Sequence, residues 1–287
     1  MKKILAILAL LPLIASTQVR VASPHQKHDE LKFQYDSTKN AMRYADYYIG
    51  QDLFVIPTEK VTLFGRNIEL WRNTTRLKDI PVVEEVSGQT FHVIGKRDYI
   101  LGGIKEPFCG YLVMVNKNFG DTLYYEHGIN GEKLFPFIVL GYKEKFERNN
   151  KDKEFVFHGY SLYDFDTGDK FDAHSSSWTF KEIIAMPNEK KLGYYLVNDN
   201  GRATAVTDME DFIKKSDIDN YTKKYGKKMV NMALDGEIMI GMPKELVTIA
   251  KGEPLRIHTS NSGEQWVFGK YGNDCVYFKK GKVTGWN

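Results

Sequence analysis

The sequence predicts an α+β chain of several domains: a β-rich antiparallel N-terminal part, built as SH3-like barrels or a sandwich, followed by a module of two helices on a three- or four-stranded antiparallel sheet. Three observations predict it. From Leu53 to about Val206, short runs rich in β-branched and aromatic residues alternate with turn residues. After Val206 apolar residues recur at spacings of three and four, the period of a helix face. From Gly236 on, one more helical stretch is followed by strand-like runs to the C-terminus.

The chain has 287 residues, 42% hydrophobic and 27% charged, which excludes disorder and collagen-like repetition and leaves room for two or three small domains. At the N-terminus Lys2 and Lys3 precede the apolar run Ile4 to Ala15, after which Ser16, Thr17 and Gln18 suit a signal-peptidase site. Residues 1–17 are therefore expected to be a secretory leader, cut near Ser16 to Val19. The run is broken by Pro12 and is too short for the roughly 20 residues of a bilayer span. No cysteine follows it for lipidation, so neither a transmembrane nor a lipid anchor is expected. The net charge is +3, falling to +1 without Lys2 and Lys3, which gives no electrostatic footprint for nucleic acid.

Residues 18–35 read as a polar, flexible lead-in, where the pair His25 and His28 is taken as solvated. Ser37 to Tyr48 fits a short helix, with Ala41, Met42, Ala45 and Tyr48 on one stripe. The β-rich part is divided at the Gly102-Gly103…Pro107 stretch into domains 36–106 and 107–206. Turns fall at Asn118–Asp121, Asp166–Asp169 and Asn198–Gly201. Thr207-x-x-Glu210 and Ser216-x-x-Asp219 then read as capping boxes opening two helices. The second carries the stripe Ile218, Tyr221, Tyr225, Met229 and Met232, with Lys223, Lys224, Lys227 and Lys228 on a solvated face.

In the last domain, 207–287, Pro243 can open a helix whose buried side is Leu246, Val247, Ile249 and Ala250. Gly252 is its expected left-handed cap, and Pro254 prevents continuation. Ile240, Gly241, Met242, Val247, Gly252 and Pro254, then Glu264–Phe268 around Trp266, Val276–Phe278 and Gly281-Lys-Val283, stand in an order that resembles the SmpA/OmlA family of small envelope proteins. That BamE-like family shares its fold with β-lactamase inhibitor proteins. The resemblance covers about a quarter of the chain, from the helix near Asp217 onward, and implies a role in gripping or scaffolding other proteins.

Motifs for chemistry are weak. Cys109 precedes a strand-like run, so it lacks the helix dipole that activates a thiol, although His127, His158 and His174 offer bases. Ser175-Ser-Ser177 beside His174 and Asp172 has no strained nucleophile turn around it. Asp164, Asp166, Asp169 and Asp172 surround Gly168 in a spacing that is not an EF-hand and reads as a hairpin turn. No phosphate-cradling loop, zinc quartet or dinucleotide fingerprint is present, so neither a cofactor nor a metal site is expected. Cys109 and Cys275 are read as two buried thiols, in a compartment that would permit a bridge.

The expected function is thus that of a periplasmic or secreted, soluble, non-enzymatic envelope protein that binds another protein. Binding of polysaccharide or peptidoglycan is the alternative, and weak cell-wall hydrolysis the second. Recognition is expected from aromatic residues. Trp266 and Phe268 share one strand face, and Tyr124 and Tyr195 each belong to a Tyr-Tyr pair of which one member must point outward.

Overall fold

The computed structural model describes residues 35, 38–57, 70–71, 86–101, 104–128, 135–268 and 274–287, with the backbone alone for 70–71, 99–101 and 104–109. The leader and the His25/His28 pair lie outside the described residues. Strands β1 (Asp52–Val55), β2 (Leu70–Trp71), β3 (Thr90–Leu101), β4 (Ile104–Asn116), β5 (Thr122–His127) and β6 (Phe137–Val139) form one antiparallel sheet in the order β2-β5-β4-β3-β1-β6. Alternation places Leu53, Val55, Phe91, Val93, Leu112, Met114, Leu123 and Tyr125 in its core.

Two expectations fail here. β4 runs through Glu106 and Pro107 and pairs with β3 from Leu101↔Ile104 to Phe91↔Asn116, so the domain boundary at 106/107 falls inside a strand of a single sheet. The helix expected over Ser37–Tyr48 is reduced to a 3-10 turn at Ala45–Tyr48 that packs on β3 and β4. Upstream of the turn, the Asn40 side chain donates to Phe137 O (2.8 Å) and accepts from Val139 N (2.8 Å), stapling this segment to β6.

A helix the sequence reading passed over, α1 (Leu140–Asn150), follows β6 directly. Tyr142 and Phe146, four residues apart, make its inner stripe, and Lys143 pairs with Glu147 across one turn. It packs on both sheets: on β1 and β6, and on the strand Ser177–Met186 of the second sheet. That sheet consists of β7 (Glu154–Phe157), β10 (Ser177–Met186), β11 (Lys191–Asn198), β12 (Ala203–Val206) and β13 (Phe212–Lys214), ordered β12-β11-β10-β7-β13, with β8 (Ser161–Tyr163) and β9 (Lys170–Asp172) as a separate hairpin. Phe146 meets Phe180 and Tyr194 at 5.2 and 4.9 Å, and the Tyr142 and Tyr194 hydroxyls are 2.6 Å apart in the core. Both sheets are open among the described residues, so the SH3-like barrels are replaced by two open antiparallel sheets.

From Asp36 to Asn287 the chain forms one compact unit. Its C-terminal part holds α2 (Lys215–Tyr225), α3 (Lys227–Leu234), α4 (Lys244–Lys251) and the meander β14 (Arg256–Ser260), β15 (Gly263–Val267), β16 (Cys275–Lys279) and β17 (Lys282–Trp286). Thr207–Asp211 opens no helix: Phe212–Lys214 instead pairs with β7. The single long helix expected beyond Ser216 is broken at Gly226, whose φ of 85° turns the chain between α2 and α3. Gly252 caps α4 at φ 76°, as its sequence context predicts. One cluster of Val230, Ala233, Met242, Leu246, Val247, Trp266, Val276, Phe278 and Val283 is the core here, with Phe268 packed against it. The loop Gly241–Pro243 covers the outer edge of β17: Gly241 N donates to Val283 O (2.8 Å), Val283 N to Met242 O (2.9 Å), and Pro243 bridges Lys282. Cys275 is buried, with Gln265 Nε2 donating to its Sγ at 3.2 Å, whereas the side chain of Cys109 lies outside the described residues.

Candidate binding surface

The β8–β9 hairpin is the most aromatic exposed feature of the described chain. Its register pairs Leu162 with Phe171 and Tyr163 with Lys170, so the period of two sends Leu162 inward, with Phe171 on Trp178 at 6.0 Å, and Tyr163 outward. Tyr160, Tyr163 and Phe165 are 83%, 61% and 48% exposed. They stand on a fixed backbone. Asp164 Oδ1 accepts from the Asp166 and Thr167 amides at 3.0 Å each, Gly168 N reaches Asp164 O at 2.8 Å, and Phe165 N donates to Ala203 O at 3.0 Å. The Thr204 hydroxyl donates to Tyr163 O at 2.8 Å. The Thr167 amide, joined by the Asp166 amide, the Thr167 hydroxyl and Arg202, holds the Asp164 carboxyl below the usual carboxylate range, with burial opposing them. Arg202 itself lies over the Phe171 ring at 4.4 Å. The acids that spaced like a cation loop are thus a turn whose first carboxylate is already engaged.

Three clefts flank the hairpin. One of about 390 Å³ lies between Tyr163, Phe165, Met186 and Glu189, and one of about 420 Å³ between Leu162, Tyr163, Glu189, Asp208 and Asp211. The largest, about 570 Å³, runs from His158, Tyr160 and His174 to Asp235 and the end of α4. Tyr160 stacks over His174, 6.2 Å between ring centres.

The triad-like residues have other work. Asp172 Oδ1 accepts the His174 backbone N–H at 3.1 Å, and the Ser176 hydroxyl donates to Ala173 O while accepting from Trp178 Nε1 at 2.7 Å. His127 is a buried core histidine among Tyr48, Tyr125 and Phe135, its Nε2 3.1 Å from Arg43 O.

No protein-family model, curated protein or solved structure matches the chain. The surface therefore has to be read from its own residues.

Of the aromatic residues singled out from the sequence, Tyr195 alone lies at this surface, half-buried, its ring 5.1 Å from that of Phe165. Tyr124 stands on the first sheet, half-buried beneath the Arg97 guanidinium at 4.8 Å. Their neighbours Tyr125 and Tyr194 are the buried members of the two pairs. Trp266 is not an exposed anchor: it is 8% exposed, 4.8 Å from Phe278, and faces the helices together with Phe268. The helices need a large apolar partner, whereas the other face carries His258, Gln265, Tyr277 and Thr284 around a shallow hollow. Gly241, Met242, Gly252 and Pro254 serve the loop and cap around that core. Tyr160, Tyr163 and Phe165 belong to no motif in the sequence, where the neighbouring acids Asp164, Asp166, Asp169 and Asp172 are the stronger pattern. The available signal was three aromatic residues leading into a turn too short to bury them all.

Proposed function

We propose that the chain is a non-enzymatic cell-envelope protein, periplasmic or secreted, that binds another protein through the β8–β9 hairpin. The observation that carries this reading is the exposure of Tyr163 and Phe165 where β8 enters a hydrogen-bonded turn, with Tyr160 exposed just before the same strand. Rigid aromatic side chains give large contact area at low entropic cost, and an exposed set of them marks an interaction surface. Charge indicates the partner. Asp166, Asp169, Glu189, Asp208, Glu210 and Asp211 lie in or beside the hairpin and its clefts, which favours a segment bearing Lys or Arg among apolar residues. The absence of enzymatic activity is supported by the structural engagement of Ser176, Asp172 and Asp164. The part from residue 207 onward is read as an SmpA/OmlA-like scaffold, which the packing of its helices and the core around Trp266 support.

A photo-crosslinker placed at Tyr163 in the envelope, compared with one at Tyr124, tests the reading. The expected result is one protein adduct from Tyr163, weakened by added salt and lost in the Tyr160→Ser/Phe165→Ser background, with none from Tyr124. Adducts from Tyr124 alone, or retention on insoluble cell wall in place of a protein adduct, would overturn it, the latter in favour of glycan binding.

A further inference from the structure

The largest cleft beside the hairpin has the C-terminal helices as one wall, and a single side chain spans it. His174, in the β9–β10 connection, has its Nδ1 3.1 Å from Gly159 O and its Nε2 3.1 Å from Asp235 Oδ1, the residue that ends α3. Its own backbone is pinned by Asp172, so the ring is presented in one place. A carbonyl oxygen and a carboxylate oxygen accept and do not donate. Both contacts are hydrogen bonds only when both ring nitrogens carry protons. In either neutral tautomer one nitrogen lone pair faces an oxygen, and one of the two links is lost.

We infer that His174 and Asp235 form a proton-operated clasp that holds the C-terminal helices against the β8–β9 surface, closed with the imidazolium and released when His174 loses its proton. The surroundings favour the cation. His158 and Tyr160 from the β7–β8 connection, Glu210 and Asp211 from the β12–β13 connection, and Asp235 and Lys251 from the helices line the cleft, so carboxylates outnumber the ammonium there, and Lys251 is itself paired with Asp274 at 3.0 Å. The Asp235 hydrogen bond is the largest influence raising the His174 pKa above its ordinary value, followed by the Gly159 carbonyl, with burial opposing them. With the folded-state pKa raised, the clasp contributes fully below the ordinary histidine value of about 6.5 and is lost as pH rises through the raised one. Because Nδ1 holds Gly159 and the ring lies under Tyr160, the same proton fixes one of the three exposed aromatics. The inference rests on the proposed binding role only for what the clasp regulates.

The experiment uses the full chain with no partner present. Imidazole ¹⁵N resonances followed against pH give the His174 midpoint, and amide exchange at Gly159, Tyr160, Asp235 and Gly236, corrected for the intrinsic pH dependence, reports opening. The parent is expected to titrate above the ordinary value, with exchange rising through the same midpoint. Asp235→Asn should move the midpoint down, and His174→Gln should make the corrected exchange independent of pH. Coincident midpoints in the parent and Asp235→Asn, or exchange in the parent that does not follow the titration, would overturn the clasp. Neither outcome depends on whether the hairpin binds a protein.

Discussion

Replacing Trp266 by Ala removes the largest side chain from the C-terminal core while leaving every exposed aromatic in place. The ring is 8% exposed, meets Phe278 at 4.8 Å and Phe268 at 6.3 Å, and lies beneath the Lys244 ammonium at 5.7 Å. An aromatic side chain of this size buries about 150–250 Å², which at about 25 cal/mol per Å² sets an upper value of roughly 4–6 kcal/mol. Truncations of buried aromatic side chains cost about 3–5 kcal/mol once partial collapse of the cavity is included. The indole N–H contributes little to this figure, since its contact with Glu264 Oε2 is 3.4 Å long. A loss of that size is a large share of the about 5–15 kcal/mol that holds a typical domain folded. Urea unfolding of the full chain, followed by amide exchange within Gly263–Val267 and Cys275–Lys279, should show protection there collapse while the β10–β11 amides keep theirs. A loss below about 1 kcal/mol would mean that the ring lies outside the core, and the helix-facing assignment of this strand would fall.

Gly263→Ala should be more damaging than its size suggests: a Cβ there would stand 2.1 Å from Phe278 O at a φ of 148°, so thermal melting should drop sharply, and an unchanged melt would refute the β15–β16 register. Tyr142→Phe should cost about 1–3 kcal/mol by stranding the Tyr194 hydroxyl in the core, and changing both tyrosines to Phe should cost less than the two single changes added together, which a double-mutant cycle on denaturant melts measures. A fragment from Lys215 to Asn287 should unfold cooperatively alone, because its core draws on residues 230–283, and broad, non-cooperative melting would show that β13 and the second sheet are required.

Strand-forming segments were legible in the sequence wherever one face is buried, because alternation survives there: Leu53 and Val55, Phe91 and Val93, Tyr194 and Leu196 are all core. What was lost depended on contacts distant in sequence. Asn40 looks like a helix-compatible residue until β6, nearly a hundred positions later, takes both ends of its amide. The stripe Ile218, Tyr221, Tyr225, Met229 runs unbroken across Gly226, since the side-chain period alone does not register a single residue at positive φ. Trp266 was ambiguous for a related reason: period two assigns it to a face, and only the three-dimensional position of the helices determines which face is inside. The hairpin surface was half legible, with its turn read at Asp166–Asp169 and its exposed rings carrying no motif.

The loop Gly241–Pro243 has an effect on how this protein can associate with itself. A four-stranded meander ordinarily presents two raw edges, and a sheet with two raw edges can add copies without limit, which is the geometry of a fibre. Here the start of the β17 edge, at Lys282 and Val283, is already occupied by the protein's own backbone, while among the described residues β14, exposed along its whole length, has no strand beyond it. Growth from a single available edge terminates when two such edges meet. Strand-to-strand pairing through this sheet therefore yields a closed pair, so a short loop from the helical half of the fold serves as a chain terminator for polymerisation.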